Sequence, residues 1–349
     1  MRIKINRKIS ISSKRAPVIV AEISGNHCGS KSLFLKHIKT AAKSGADMVK
    51  IQTYEPNDIT INEKNKNFVI KKGIWKSKNL WNIYKKAHTP YSWHKDAFNL
   101  AKKLNIPLFS TPFSIKAVKF LEKLKTPIYK IASFEITDLN LINYIARTKK
   151  PIIISTGMAN EKEIRNAIRV IKKYHSKIII LHCVSGYPTE ESQANIATLS
   201  KLQNKFKNFN IGLSDHTNDI NSSLGATAHG ACLIEKHFKI SDKIRSLDSK
   251  FSINPKQLKI LKNRSKKIFL SLGTAKIGIK YAEKNSLIFR RSIFAIKEIK
   301  KGEKLKTDNI KTFRPKIGIG SEHYLNIIGK KAKINIKKFS PIFKSNIKI

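Results

Sequence analysis

The chain has 349 residues, with 70 Lys and Arg against 23 Asp and Glu, and a formal charge of +47. That excess attracts polyanions non-specifically. A dedicated nucleic-acid function is argued against because Lys far outnumbers Arg, is spread along the whole chain, and no aromatic–basic stripe interleaves. No run approaches the roughly 20 apolar residues of a membrane span, and the basic N-terminus has no apolar h-region.

The first apolar run, residues 18–22, ends in Glu22. A helix-period segment over 32–45 puts Leu33, Ile38 and Ala41 on one face and stops at Gly45. The second run, 48–52, carries Lys50 and ends in Gln52. Residues 55–90 are then too long for an ordinary strand–helix loop. They hold Trp75, Trp81, Tyr84 and His88, which suits a lid or specificity segment.

A helix over 95–104 leads to the run 108–111, ending in Thr111, and a helix over 115–124 to the run 128–133, with Lys130 and Ser133. The run 152–156 ends in Ser155 and Thr156. Asn160 and Glu163 then form a capping box for a helix over 161–174. The run 178–182 ends in His182, and 211–216 in Ser214-Asp215-His216. A helix over 218–230 precedes the last run, 232–237, which ends in Glu235-Lys236-His237, and a helix over 255–270 follows it.

Eight apolar runs separated by helical segments predict an α/β fold, a (β/α)8 TIM barrel, with its chemistry gathered at the strand C-termini. The barrel is assigned to 1–272 and a linker to 273–284. A small β-rich domain is assigned to 285–349, with strands around 292–297, 302–305, 309–315 and 331–336. Cys28, Cys183 and Cys232 share no metal or redox spacing, so reduced thiols and a cytoplasmic location are expected.

His216 and His237 close adjacent strands, where two imidazoles can share a divalent metal, with Glu22 or Asp248 contributing directly or through water. The alternative is two satisfied rim histidines. Lys50 and Lys130 lie inside apolar runs, where their charges would repel unless an anion sat between them. A phosphate and carboxylate cradle then includes Thr111, Ser133, Ser155 and Thr156-Gly157. A Schiff-base lysine of an aldolase is the competing chemistry.

Taken together, Ala21-Glu-Ile-Ser-Gly-Asn-His27, Lys50-Ile-Gln52, Ser110-Thr-Pro-Phe113, Lys130-Ile-Ala-Ser-Phe-Glu135, Ser155-Thr-Gly-Met158, Ser214-Asp-His216 and Glu235-Lys-His-Phe238 resemble the sialic acid synthase family. The segments at Arg290-Arg-Ser292 and Arg314-Pro315 look like that family's antifreeze-like (SAF) domain. The resemblance implies metal-dependent condensation of phosphoenolpyruvate with an N-acylated amino-sugar, by a domain-swapped homodimer. The metal would be Mn²⁺, Mg²⁺ or Co²⁺.

It also implies roles. His216 and His237 would hold the metal. Lys50, Thr111, Lys130, Ser133 and Ser214 would bind phosphoenolpyruvate or its phosphate, with Ser155 nearby. Gln52, Phe113 and Tyr187 would line the sugar site, and Glu135 and Asp248 would contact sugar hydroxyl or metal-bound water. Glu22 would stabilise positive charge developing at C2. Arg314 would reach the acyl group in a partner's pocket.

Within the family, Leu80-Trp81, Tyr84, Ala87-His-Thr-Pro90, Trp93-His94 and Asp248-Ser-Lys-Phe-Ser252 resemble the pseudaminate-forming branch. Ser185 stands where neuraminate-forming members carry Asn. His182-Cys183-Val184 departs from the pseudaminate pattern, which leaves neuraminate or legionaminate formation as the alternative.

Overall fold

Strand formation begins ahead of the first expected run. In the computed structural model, which describes residues 2–348, β1 (Ile3–Lys4) and β2 (Ser10–Ile11) pair antiparallel. Ile3 and Ile11 are buried and cluster with Val18, Val20, Met48, Phe109, Ile153, Ile179 and Leu233, so the hairpin plugs the N-terminal mouth of the barrel. None of the eight apolar runs covers this stretch.

All eight apolar runs become strands. They are β3 (Val18–Glu22), β4 (Met48–Thr53), β5 (Leu108–Pro112), β6 (Tyr129–Ile131), β7 (Ile152–Ser155), β8 (Ile178–Cys183), β9 (Asn210–Asp215) and β10 (Leu233–His237). They pair parallel in sequence order, and β10 closes on β3. Both faces are covered, so the runs read as continuously apolar.

Alternation along each strand separates two cores. One parity (Val18, Val20, Met48, Phe109, Ile128, Ile153, Ile179, Leu181, Leu233) fills the barrel interior. The other (Ile19, Ile51, Ile131, Ile154, Ile180, Leu213, Ile234) packs outward against helix residues such as Ile38, Leu121, Ile145, Ile168 and Leu261.

The helices behave as their caps dictate. These are α1 (Lys31–Lys43), α2 (Leu80–Ala87), α3 (Tyr91–Lys103), α4 (Ile115–Lys123), α5 (Leu139–Arg147), α6 (Glu161–Lys172), α7 (Thr198–Lys205), α8 (Asn221–Ala228) and α9 (Pro255–Leu272). In α6, Asn160 Oδ1 accepts from Glu163 N at 3.0 Å, and Glu163 Oε2 accepts from Asn160 N at 2.8 Å, closing the expected box. Sequence reading missed α2, α5 and α7, each of only eight or nine residues.

The chain divides into two compact units between Gly273 and Thr274. In the second, β11 (Ser292–Ala295) pairs antiparallel with β12 (Ile310–Phe313) around a core that includes Ile293, Leu305, Ile310, Ile336 and Ile342. The strands expected at 302–305 and 331–336 are reduced to single bridges, Lys304 to Lys331 and Ile299 to Ile336. Turns at Gly302 and Gly329, both at positive φ, cut the runs too short for a ladder. A helical turn at Tyr281–Phe289 begins inside the stretch expected to be linker.

Gly212 in β9 shows how tight the barrel wall is. A Cβ there would overlap the Leu233 carbonyl oxygen and come within 2.8 Å of Leu181 Cδ2. Gly212→Ala is expected to cost about 1–3 kcal/mol, read as a lower urea midpoint at unchanged slope. An unaltered midpoint would mean that the strands can separate there at no cost.

Candidate active site at the strand ends

The interior parity turns from apolar to polar one step before the strands end. Val20 is followed inward by Glu22, Met48 by Lys50 and Gln52, and Phe109 by Thr111. Ile128 is followed by Lys130, Ile153 by Ser155 and Leu181 by Cys183. Gly212 is followed by Ser214 and His216, and Leu233 by Glu235 and His237. The period of two thus delivers eleven polar side chains to one end of the barrel. His182 has the opposite parity, and its Nε2 bonds the Ala194 carbonyl at 2.9 Å, so it is a satisfied structural histidine.

At the floor of this end lies a buried layer of four charges. Lys50 Nζ is 2.5 Å from Glu22 Oε2 and 3.4 Å from Glu235 Oε1, and Lys130 Nζ is 3.4 Å from that same Glu235 oxygen. Ser214 Oγ donates to Glu235 Oε1 at 3.2 Å, and Lys50 Nζ donates to Thr111 Oγ1 at 3.3 Å. All four charged groups are at most 4% exposed.

Burial raises the Glu22 pKa despite Lys50, and burial lowers that of Lys130 despite Glu235. Burial also opposes the charge on Lys50, but Glu22 and Glu235 outweigh it and hold its pKa above the usual lysine value. The sequence had a bound anion separating the two lysines. In the structure the chain's own Glu235 separates them. The resemblance implies no role for Glu235; its inward parity with His237 is the sequence signal that it faces the same site.

Above β6 and β7, Ser133 Oγ accepts from Gly157 N at 3.1 Å, and Ser155 Oγ is buried without a partner. A Cβ on Gly157 would overlap Ser185 Oγ and come within 2.7 Å of Ser133 Oγ, so only glycine leaves these hydroxyls in place. Glu135 Oε2 is buried and unpartnered, and burial pushes the Glu135 carboxyl up to about 7. Asp248 Oδ2 accepts from Gly25 N at 2.9 Å, and burial raises its pKa against that bond. Phe113 meets Tyr54 edge-on at 5.1 Å beside half-buried Gln52.

The His216 and His237 rings stand 5.4 Å apart. His216 Nδ1 donates to the Val184 carbonyl at 2.9 Å, which leaves Nε2 with the lone pair. His237 Nδ1 is buried with no partner, and burial, with His216 next, drives its pKa far down and keeps the ring neutral. Burial opposes charge on His216 too, but Cys183 and the Val184 carbonyl beside it outweigh burial and raise its pKa, whereas His237 is held uncharged. Paired imidazoles of this kind are the side chains that a divalent metal takes as ligands. Glu22 and Asp248 are bonded elsewhere, and no cluster of three or more His, Cys, Asp or Glu suited to a metal occurs among the described residues. Of the groups expected at a metal, that leaves the two imidazoles without a carboxylate beside them committed to the same point.

Tyr187 lies 4.4 Å from the His216 ring and Phe251 lies 4.8 Å from His237. Trp75, from the long 55–90 segment, reaches Tyr187 at 5.8 Å. Arg314 is exposed in the second unit, just after β12, and is not among the side chains the barrel brings together.

A closed parallel barrel with a charge-balanced layer at its strand ends, capped by paired imidazoles, defines a (β/α)8 protein whose polar side chains gather at one mouth. The chain belongs to the NeuB family, whose model matches residues 37–277, and an SAF domain is matched over 290–348. It is 42% identical over 334 residues to the pseudaminic acid synthase of Helicobacter pylori, covering 95% of this chain and 98% of that protein. It is 39% identical over 326 residues to the N,N'-diacetyllegionaminic acid synthase of Campylobacter jejuni, covering 92% and 97%. The crystal structure of N-acetylneuraminic acid synthetase from Leptospira borgpetersenii, in complex with citrate, superposes with a TM-score of 0.74 at 31% identity, over 82% of this chain and 95% of that one.

Gly157→Ala is expected to weaken binding of inorganic phosphate about tenfold by displacing Ser133, with the melting temperature little changed. Calorimetric titration checks this, and unaltered affinity would remove the Ser133 hydroxyl from the anion site.

Proposed function

We propose that the chain is a pseudaminic acid synthase, joining phosphoenolpyruvate to 2,4-diacetamido-2,4,6-trideoxy-altrose with release of phosphate. The observation that carries this reading is the Lys50–Glu235–Lys130 arrangement: two buried ammonium groups converge on one carboxylate oxygen, where a phosphate would find both. The choice of sugar rests on relatives named pseudaminic acid synthases at 40–42% identity. A legionaminate reading is favoured by relatives so named at 39% and 31% identity.

In this mechanism C3 of phosphoenolpyruvate attacks the open-chain aldehyde carbon, and positive charge develops at C2. Glu22, anchored by Lys50 and by Ser24 N at 2.8 Å, faces that charge and accepts a proton from the water that adds at C2. The C2–O bond then breaks. Lys50 and Lys130 neutralise the departing phosphate, with Thr111, Ser133, Ser155 and Ser214 donating hydroxyls.

A divalent metal held by His216 and His237, with Mn²⁺, Mg²⁺ and Co²⁺ all suited to them, would supply Lewis-acid polarisation of the aldehyde. Glu135, Gln52, Phe113, Ser185 and Tyr187 hold the sugar, and Asp248 orients polar groups beside them. Because Lys50 stays protonated between two carboxylates, it is a poor Schiff-base nucleophile. A homodimer in which Arg314 of a second copy meets the acyl group, and a cytoplasmic location suited to three free thiols, belong to the same proposal.

Phosphate release with Mn²⁺ is the test, with the altrose sugar, N-acetylmannosamine and the legionaminate precursor offered in parallel. Turnover is expected with the altrose sugar. Turnover with another sugar alone would overturn the acceptor, and none with any would overturn the activity. KM for the sugar is expected to fall as pH rises through about 7, where Glu135 becomes an accepting carboxylate. Glu135→Gln should flatten that profile; an unchanged inflection would place the titrating group elsewhere.

A further inference from the structure

The outward parity of the barrel strands is apolar almost throughout, as at Ile19, Ile51, Ile131, Ile154, Ile180, Leu213 and Ile234. Polar residues interrupt it at Thr53, Ser110 and His182, but charged ones only at the ends of β9 and β10. Asp215 and Lys236 lie there as a direct cross-strand pair, each 3% exposed or less, with Lys236 Nζ 3.0 Å from Asp215 Oδ2. Lys236 Nζ also donates to the Thr217 carbonyl at 2.6 Å and to Thr217 Oγ1 at 3.1 Å. Asp215 Oδ1 accepts from Thr217 N at 2.8 Å, and Oδ2 accepts from Ser223 Oγ at 2.5 Å.

Lys236 therefore grips the chain on both sides of His216, while it immediately precedes His237. Since neighbours on a strand face opposite ways, each outward charge fixes the inward aim of the next imidazole. A buried ion pair is a weak source of stability and is often replaceable by neutral groups without loss. Its place beside both imidazoles gives it another use.

We propose that Asp215 and Lys236 are positioning residues that lock the ends of β9 and β10 in register, so that His216 and His237 present one divalent-cation site. This rests on the metal reading given above. Without the clamp, β10 would still pair through Ile234 and Glu235, but the last residue of each strand would lose its common anchor. The Lys50–Glu22–Glu235–Lys130 layer lies one step deeper, on the opposite face, and would keep its anion affinity.

The test uses the full chain with two probes, Mn²⁺ alone and inorganic phosphate alone. The variants are Lys236→Met and the double variant Lys236→Met with Asp215→Asn. The single variant strands a buried carboxylate and can misfold. The double variant leaves no charge, and Asn can still accept from Thr217 N. The double variant is expected to fold, to bind phosphate as the parent does, and to bind Mn²⁺ about 10–100-fold more weakly. Unchanged Mn²⁺ affinity in the folded double variant would overturn the proposal. Equal loss of both probes with a lower melting temperature would also overturn it, and make the pair a structural strut. A parent chain that binds phosphate but not Mn²⁺ would refute the metal reading itself, and the clamp with it.

Discussion

Everything at the mouth of this barrel hangs on one carboxylate oxygen. Glu235 Oε1 lies 3.4 Å from both Lys50 and Lys130 and 3.2 Å from Ser214, and so joins β4, β6, β9 and β10 at a single point. Two ammonium groups this deep would repel each other and lose their hydration without it. With Glu22 completing the set, the layer carries two negative and two positive charges. The overall charge of +47 therefore says nothing about the pocket. Chemistry depends on local charges that are few, opposed and dry, whereas the global excess sits on solvated faces.

The same layer explains the ordering of functions along the barrel axis. Apolar residues and the N-terminal hairpin close one mouth. The charges form a floor above that core, with hydroxyls around them, and the two imidazoles and their aromatic neighbours stand at the rim. Under the proposed function, an anionic substrate entering from the rim would meet Lys50 and Lys130 only by competing with Glu235, so phosphate binding and rearrangement of that carboxylate would be one event. The aromatic wall of Trp75, Tyr187 and Phe251 leans on the imidazoles, which places apolar surface where an acceptor sugar would lie.

Much of this was legible before the structure, for a definite reason. Buried parallel strands are short, β-rich and apolar on both faces, so the eight runs and their polar endings stand out, and the strand bounds differ from expectation by only a residue or two. Capped helices such as α6 were equally plain. What stayed hidden depends on partners distant in sequence. Glu235 reads as one more acid near a strand end until Lys50 and Lys130 arrive beside it. Asp215 and Lys236 read as neighbours of the histidines, and only the register of β9 with β10 joins them. Length does not explain why α5 and α7 stayed hidden, since α4 and α8 are as short and were expected. In the second unit, isolated bridges stand where short strands were expected at 302–305 and 331–336.

The central claim is that Lys50 and Lys130 hold the phosphate of phosphoenolpyruvate in place of Glu235. A crystal structure of the chain soaked with phosphoenolpyruvate tests it directly. The phosphate is expected within hydrogen-bonding distance of both Nζ atoms, with Ser133 and Ser155 donating to the ligand and Glu235 Oε1 withdrawn from at least one lysine. Phosphoenolpyruvate bound outside the barrel, or bound within it while Glu235 keeps both lysine contacts, would contradict the account.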